Sequence, residues 1–187
     1  SSGHLLSDGG TTCANAARGH GIQMIRDRTS AAKIRWMLNL WPPFFFQGIR
    51  VQHIDPAFQV ADVDVKRSIL TRNIMGTTFG GAMMAAADPF FPILYWRTLA
   101  NEGHSLDVWL RSQKAEFLVP ADQTVRMHFS VNSQQLDRAR EGILGAGRVD
   151  LVDEVEAVLP GGKVAARFRI TSSFRPRSSG SSPIEGR

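Results

Sequence analysis

Polar and apolar residues alternate strictly in some stretches of the chain and merge into one long apolar run in its middle. Ala61, Val63 and Val65 interleave with Asp62, Asp64 and Lys66, so residues 58–66 read as a half-buried strand. Residues 48–54 form its partner across Asp55-Pro56. Val125, Met127, Phe129 and Val131 alternate with Thr124, Arg126, His128 and Ser130, and a longer strand over 108–119 precedes them across Pro120-Ala121-Asp122. The chain closes with a hairpin, 147–159 and 163–174, turning at Pro160-Gly161-Gly162. Three segments carry helical patterns. Ala31–Leu40 is amphipathic and stops at Pro42-Pro43, and 133–143 begins at Ser133 as its cap. Residues 80–96 are apolar on nearly every side, interrupted by Asp88, Pro89 and Pro92.

A helix without a polar face must be covered on most sides. The order helix, two strands, apolar helix, two strands, short helix, two strands supplies a cover. It predicts an α+β domain of the hot-dog fold, a curved antiparallel β-sheet wrapped around a central apolar α-helix. A ferredoxin-like sandwich fits less well, because its two helices would each keep a polar face. No internal repeat interrupts this plan.

Composition adds boundaries. Residues 1–23 are rich in Gly, Ser and Thr without period and read as a loose arm, 24–175 as the hot-dog domain, and 176–187 as a Ser/Gly linker and tail. The terminal Ile184-Glu185-Gly186-Arg187 resembles a processing-protease site and is set aside from fold reasoning. The single Cys13 excludes an intrachain disulfide and suggests a cytoplasmic protein. No apolar run reaches the ~20 residues of a membrane span, and no membrane partner is expected. The net charge of +5 comes from scattered arginines without a basic block, so a nucleic-acid partner is not expected either. Arg67, Arg72 and Arg97 are candidate partners for cofactor phosphates, beside the simpler reading of surface arginines.

The chemistry concentrates between Asn73 and Asp88. Gly80 and Gly81 open the apolar helix, with Thr77 or Thr78 placed to cap it. Free N–H groups at a helix start, beside glycines that admit a ligand closely, can stabilise an oxyanion. Asp88 is the carboxylate inside the apolar stretch, and burial there raises a carboxyl pKa toward that of a general base. Gly80 and Asp88 are separated by about 12 Å along a continuous helix at ~1.5 Å per residue. One chain does not easily bring both to one carbonyl, whereas two antiparallel copies about a two-fold axis do.

Asn73, then Phe79-Gly80-Gly81, then Asp88 resembles the Asn…His-Gly-Gly…Asp signature of hot-dog acyl-CoA thioesterases of the phenylacetate-pathway type. The text around it, from Gly76 to Ala82 and from Lys114 to Pro120, is closer to an uncharacterised thioesterase-like branch of that superfamily. The resemblance spans residues 31–174. It implies hydrolysis of an acyl- or aryl-CoA thioester by a homodimer, with a dimer of dimers as a further arrangement. It implies that the Gly80 N–H polarises the carbonyl, that Asn73 positions water or thioester, and that Asp88 of the partner subunit acts as base or nucleophile. Thr77, Thr78, Phe79, Gly81 and Lys114 would line the substrate site. No cofactor is implied beyond the coenzyme A of the substrate. The departure is Phe79, where the family usually has a histidine able to hydrogen-bond.

Simpler readings stand beside these. Asp88-Pro89 is a common helix start with Asp as cap, and the glycine pair serves equally for tight packing. Asn73 alone is a turn residue. Met83, Met84 and the aromatics of 90–96 are core residues or the lining of an acyl tunnel. His4, His20, His53, His104 and His128 lack ligand spacing, so no metal is expected. No Gly-x-Ser-x-Gly elbow supports a serine hydrolase. A dehydratase on this fold would recruit a histidine that the loop and helix lack. A non-catalytic thioester-binding protein is the second reading, and Phe79 favours it.

Overall fold

Ser30 opens the first helix: its side chain accepts the Lys33 N–H, and α1 runs over Ala31–Leu40 with Ile34 and Leu38 in the core. The computed structural model describes residues 29–177, so the expected arm (1–23) and the end of the tail lie outside the described residues. The proline pair does more than stop α1. Pro42 and Pro43 occupy the first turn of a short helix α2 (Pro42–Phe46), where a missing N–H costs nothing.

Six strands follow the predicted order: β1 (Ile49–Ile54), β2 (Val60–Val65), β3 (Leu106–Phe117), β4 (Val125–Ser130), β5 (Val149–Val158) and β6 (Val164–Pro176). They form one antiparallel sheet ordered β1-β2-β4-β5-β6-β3. The β1–β2 turn is wired by Asp55, whose carboxylate accepts from the N–H groups of Ala57, Gln59 and Val60. Between β4 and β5 only Arg126↔Val158 and Met127↔Ala157 pair, so the sheet splays there. A helix α5 (Ser133–Ala146) crosses beside the opening. Its cap is Asn132 rather than the expected Ser133. Asn132 and Gln135 exchange side-chain bonds with each other's backbone N–H, a reciprocal box that Ser133 is one residue too late to form.

The two edges of the sheet differ. Asn39 of α1 lies along β1, donating to the Val51 carbonyl at 3.0 Å and accepting the Val51 N–H at 2.8 Å, while Arg35 donates to the Gln52 carbonyl. At Val51 and Gln52 the helix thus supplies hydrogen bonds a neighbouring strand would otherwise make. β3 carries β6 on one side and no strand on the other among the described residues.

The apolar stretch is two helices, α3 (Gly80–Ala87) and α4 (Phe90–Asn101). Pro89 lacks the N–H that would continue α3, and its ring would meet the carbonyl four residues back. α4 is embedded in the sheet's concave face. Phe90 and Phe91 meet Phe129 with ring centroids at 4.9 and 5.2 Å, and Tyr95 meets Phe174 edge-on at 5.2 Å. The inward residues of β2 and β4 complete this core, as their alternation predicts, together with buried residues of β6. The architecture is the hot-dog fold, with the central helix broken at Asp88.

Candidate active site at the start of the central helix

The loop from β2 to α3 is held by its own side chains. Arg67 donates Nε and Nη2 to the Gly76 carbonyl, and the Thr71 hydroxyl donates to Lys66 O and accepts from Ser68 N. Asn73 organises the tip: its Oδ1 accepts the Met75 and Thr77 N–H groups, and its Nδ2 donates to Thr77 Oγ1 at 2.9 Å. Gly76 completes the turn at φ +77°, a conformation that side chains rarely adopt. Asn73 is therefore a turn residue in this state, one amide hydrogen short of full engagement. Of the arginines weighed for phosphate contact, Arg67 is used by the loop and Arg97 is buried over the Phe58 ring. Arg72 is exposed, in a shallow pocket of about 430 Å³ with Ile69, Asn73, Ile74 and Gly76.

Neither threonine caps α3. The cap position falls to Phe79, which has no side-chain bond to offer. Long-range bonds decide this: Thr78 N donates to Ala121 O and Phe79 N to Thr71 O, both at 2.8 Å, and this pins the residues before the helix. Thr77 Oγ1 is turned to Asn73, and Thr78 Oγ1 is buried without a partner. With no cap, the N–H groups of Gly80 and Gly81 stay free of acceptors within the described residues.

Aromatic rings flank the two glycines. A Cβ on Gly80 would lie 2.9 Å from Phe117 Cζ, and one on Gly81 would collide with the edge of the Phe79 ring. Phe79 is itself about half exposed. Phe117 was not singled out from the sequence. Its alternation with Lys114 and Glu116 was the available signal, since Gln113, Ala115 and Phe117 pair with Ile170, Phe168 and Ala166 of β6, all inward-facing. Gln113 donates its side chain to Met84 O at 3.0 Å. Lys114 lies opposite Arg169 on the outer face and pairs with Glu116, so within one chain it points away from α3.

Asp88 ends α3 in helical conformation, its N–H bonded to Met84 O at 3.2 Å. The cap of α4 is Pro89, so the Asp88 carboxylate is not used as the expected helix cap. It is half-buried, and desolvation raises its pKa above the usual carboxylate value. The helix is unbroken from Gly80 to Ala87, so the axial separation of ~12 Å between the glycine N–H groups and the carboxylate keeps its premise.

Two further features lie elsewhere. A groove of about 830 Å³ on the outer sheet face is lined by Asp64, Arg126, His128, Glu154 and Glu156. These charges are already paired: Arg126 with Asp64, His128 with Asp62, Glu154 with Arg169 and Glu156 with Arg167. The other feature is Asp153, buried beside the β4–β5 opening. Its Oδ1 accepts from Tyr95 Oη at 3.0 Å and Gln135 Nε2 at 2.7 Å, its Oδ2 is unpartnered, and desolvation raises its pKa. Among the described residues no group of three His, Cys, Asp or Glu could hold a metal, and no helix is long and apolar enough to cross a membrane.

The family described as "Domain of unknown function (DUF4442)" matches residues 30–173. No curated protein matches by sequence. Among solved structures, a Pseudomonas aeruginosa protein of unknown function described as a probable thioesterase superposes with TM-score 0.68 at 14% identity, covering 76% of this chain and 93% of that one. A thioesterase from Haemophilus influenzae gives 0.58 at 15% identity, covering 79% and 92%. The Escherichia coli PaaI protein of the phenylacetic acid degradation operon gives 0.52 at 18% identity, covering 78% and 91%. At such identities the likeness establishes the fold and leaves the chemistry to the residues. The chain belongs to the DUF4442 family and has the hot-dog fold.

Proposed function

We propose that the protein hydrolyses an acyl- or aryl-CoA thioester at a site shared by two copies. The observation that carries this reading is an unpartnered, desolvated carboxylate, Asp88, on the same helix as two acceptor-free glycine N–H groups. The Gly80 N–H receives the thioester oxygen, with Gly81 beside it, where charge develops as the carbonyl is attacked. Asp88 of the partner subunit takes a proton from water. The water oxygen forms the new C–O bond, the C–S bond breaks, and the proton passes to the departing coenzyme A sulfur. A raised pKa makes Asp88 a stronger base than an exposed carboxylate. Direct nucleophilic attack by the same carboxylate is the other route open to it. Asn73 positions water or thioester through its remaining amide hydrogen, while Thr77, Thr78, Phe79 and Gly81 border the substrate. Lys114 of the outer face is available to the coenzyme only from a second copy.

The open β3 edge supports the two-copy arrangement, because its last residue, Phe117, packs on Gly80. A copy joined along this edge is set beside the glycines. Arg72, exposed in its shallow pocket, is the cation at hand for a phosphate of the coenzyme.

The test is thiol release from a panel of aliphatic and aromatic acyl-CoA substrates. Asp88→Asn is expected to lower kcat by about 100-fold or more. The wild-type kcat/KM is expected to rise with pH up to a value above the usual carboxylate pKa. Full activity in Asp88→Asn overturns the mechanism, and a strictly monomeric protein by light scattering overturns the shared site. A second reading rests on Phe79, which cannot hydrogen-bond: a thioester-binding protein without turnover. Binding at micromolar affinity with no thiol release from any substrate establishes it instead.

A further inference from the structure

The first helical pair carries an apolar face that the core does not use. In α1, Ala31, Ile34 and Leu38 point into the domain. Turning about 100° per residue places Trp36 and Leu40 at the centre of the opposite, solvent-facing arc with Lys33 beside Leu40, while Arg35 is turned toward β1. Trp36 is 67% exposed and Leu40 54%. The stripe continues into α2 through Trp41, Phe45 and Phe46, the last 64% exposed. A globular helix normally presents polar residues there. An exposed patch of this size marks an interaction surface.

Its charges identify the partner. Residues 31–54 contain the cations Lys33, Arg35 and Arg50 and no Asp or Glu. The Arg50 guanidinium lies over the Phe45 ring at 4.8 Å from its centroid, inside the aromatic stripe. A second copy of the same face would set Lys33 and Arg50 against their own equivalents, and α1 and α2 carry no acid to receive them. Trp and Phe in a plane bordered by Lys and Arg suit the headgroup boundary of a bilayer, where the rings enter the acyl edge and the cations meet lipid phosphates. The patch also sits on α1 and α2 beside β1, at the opposite sheet edge from β3, so it is independent of the shared site.

We propose that the α1–α2 face docks the protein on the surface of an anionic lipid membrane, without spanning it. This departs from the expectation of no membrane partner, which considered only a spanning segment.

Co-sedimentation of the full chain with phosphatidylcholine vesicles, with and without phosphatidylglycerol, tests the proposal. Binding is expected only when phosphatidylglycerol is present, and it is expected to weaken as salt is raised. Lipid brominated in the acyl chain is expected to quench tryptophan fluorescence. Trp36→Ser combined with Phe46→Ser is expected to lower the partition about tenfold or more, and Lys33→Ala about fivefold. Trp36→Phe is expected to retain most of the binding. These side chains are exposed, so an unchanged melting curve confirms that each variant is folded. Absence of binding to phosphatidylglycerol vesicles overturns the proposal, as does undiminished binding by the Ser variant. A patch variant that shifts the protein to a smaller oligomer, with no lipid binding by the wild type, assigns the face to a second copy and also overturns it.

Discussion

Replacing Thr78 by Val is expected to stabilise the protein, although it removes a polar group from the residue pair before α3. Thr78 is 2% exposed and its hydroxyl is buried with no hydrogen-bond partner. Its backbone N–H is already satisfied by Ala121 O at 2.8 Å and is untouched by the substitution. Valine has the same branching and nearly the same volume, so neither the extended backbone nor the packing is disturbed. What changes is the desolvation penalty of an orphan hydroxyl, roughly 1–3 kcal/mol in mutational series. For a chain of this size each kcal/mol moves Tm by about 2–4 °C. Urea denaturation followed by circular dichroism reads the change as a higher midpoint at constant slope. A lower midpoint refutes the reasoning, because it means the hydroxyl has a bond in solution that the single chain does not show. The same variant separates two roles. If stability rises while thioester turnover collapses, the hydroxyl is held unpaired for the substrate.

Asp153→Asn is expected to flatten the pH dependence of stability. Burial raises the folded pKa of Asp153, so its contribution is fully present below the unfolded value and is lost as pH rises through the folded one. The wild type is expected to lose stability above the usual carboxylate range, and an unchanged slope in the variant contradicts this. Asn39→Ala removes both bonds to Val51 and is expected to cost about 1–3 kcal/mol, read as a lower urea midpoint. A cost near zero means that water or another segment seals the β1 edge equally well.

Much of the fold was legible because a half-buried strand reports its own geometry. The alternation of Val125, Met127 and Phe129 fixes which side of β4 faces the core, whatever lies beyond. The misreadings fall where a distant partner outvotes a local rule. Thr77 and Thr78 satisfy the preference for a helix cap, yet bonds to Asn73, Thr71 and Ala121 move the cap to Phe79. Pro42-Pro43 stops α1 as it reads and also starts α2, because a proline ending one helix is equally fit to begin the next. In the site, Gly80, Gly81 and Asp88 were visible through spacing along one helix. Lys114 was placed by proximity in sequence, and the register with Arg169 turns it to the outer face. Phe117 and Gln113 went unnoticed because their contacts to α3 join segments about thirty to forty residues apart.

The unequal edges of the sheet govern how far it can propagate. A strand array polymerises only while each arriving copy brings a fresh free edge to the growing end. Among the described residues each copy brings the outer edge of β3, while the outer edge of β1 is engaged at Val51 and Gln52 by Asn39 and Arg35. Joining two copies through β3 consumes both free edges, so a third finds nothing to add to and a fibre cannot nucleate by this route. The short helix that looks like an ornament on β1 therefore sets an upper limit of two on sheet growth. Its loss would convert a self-terminating contact into an open-ended one.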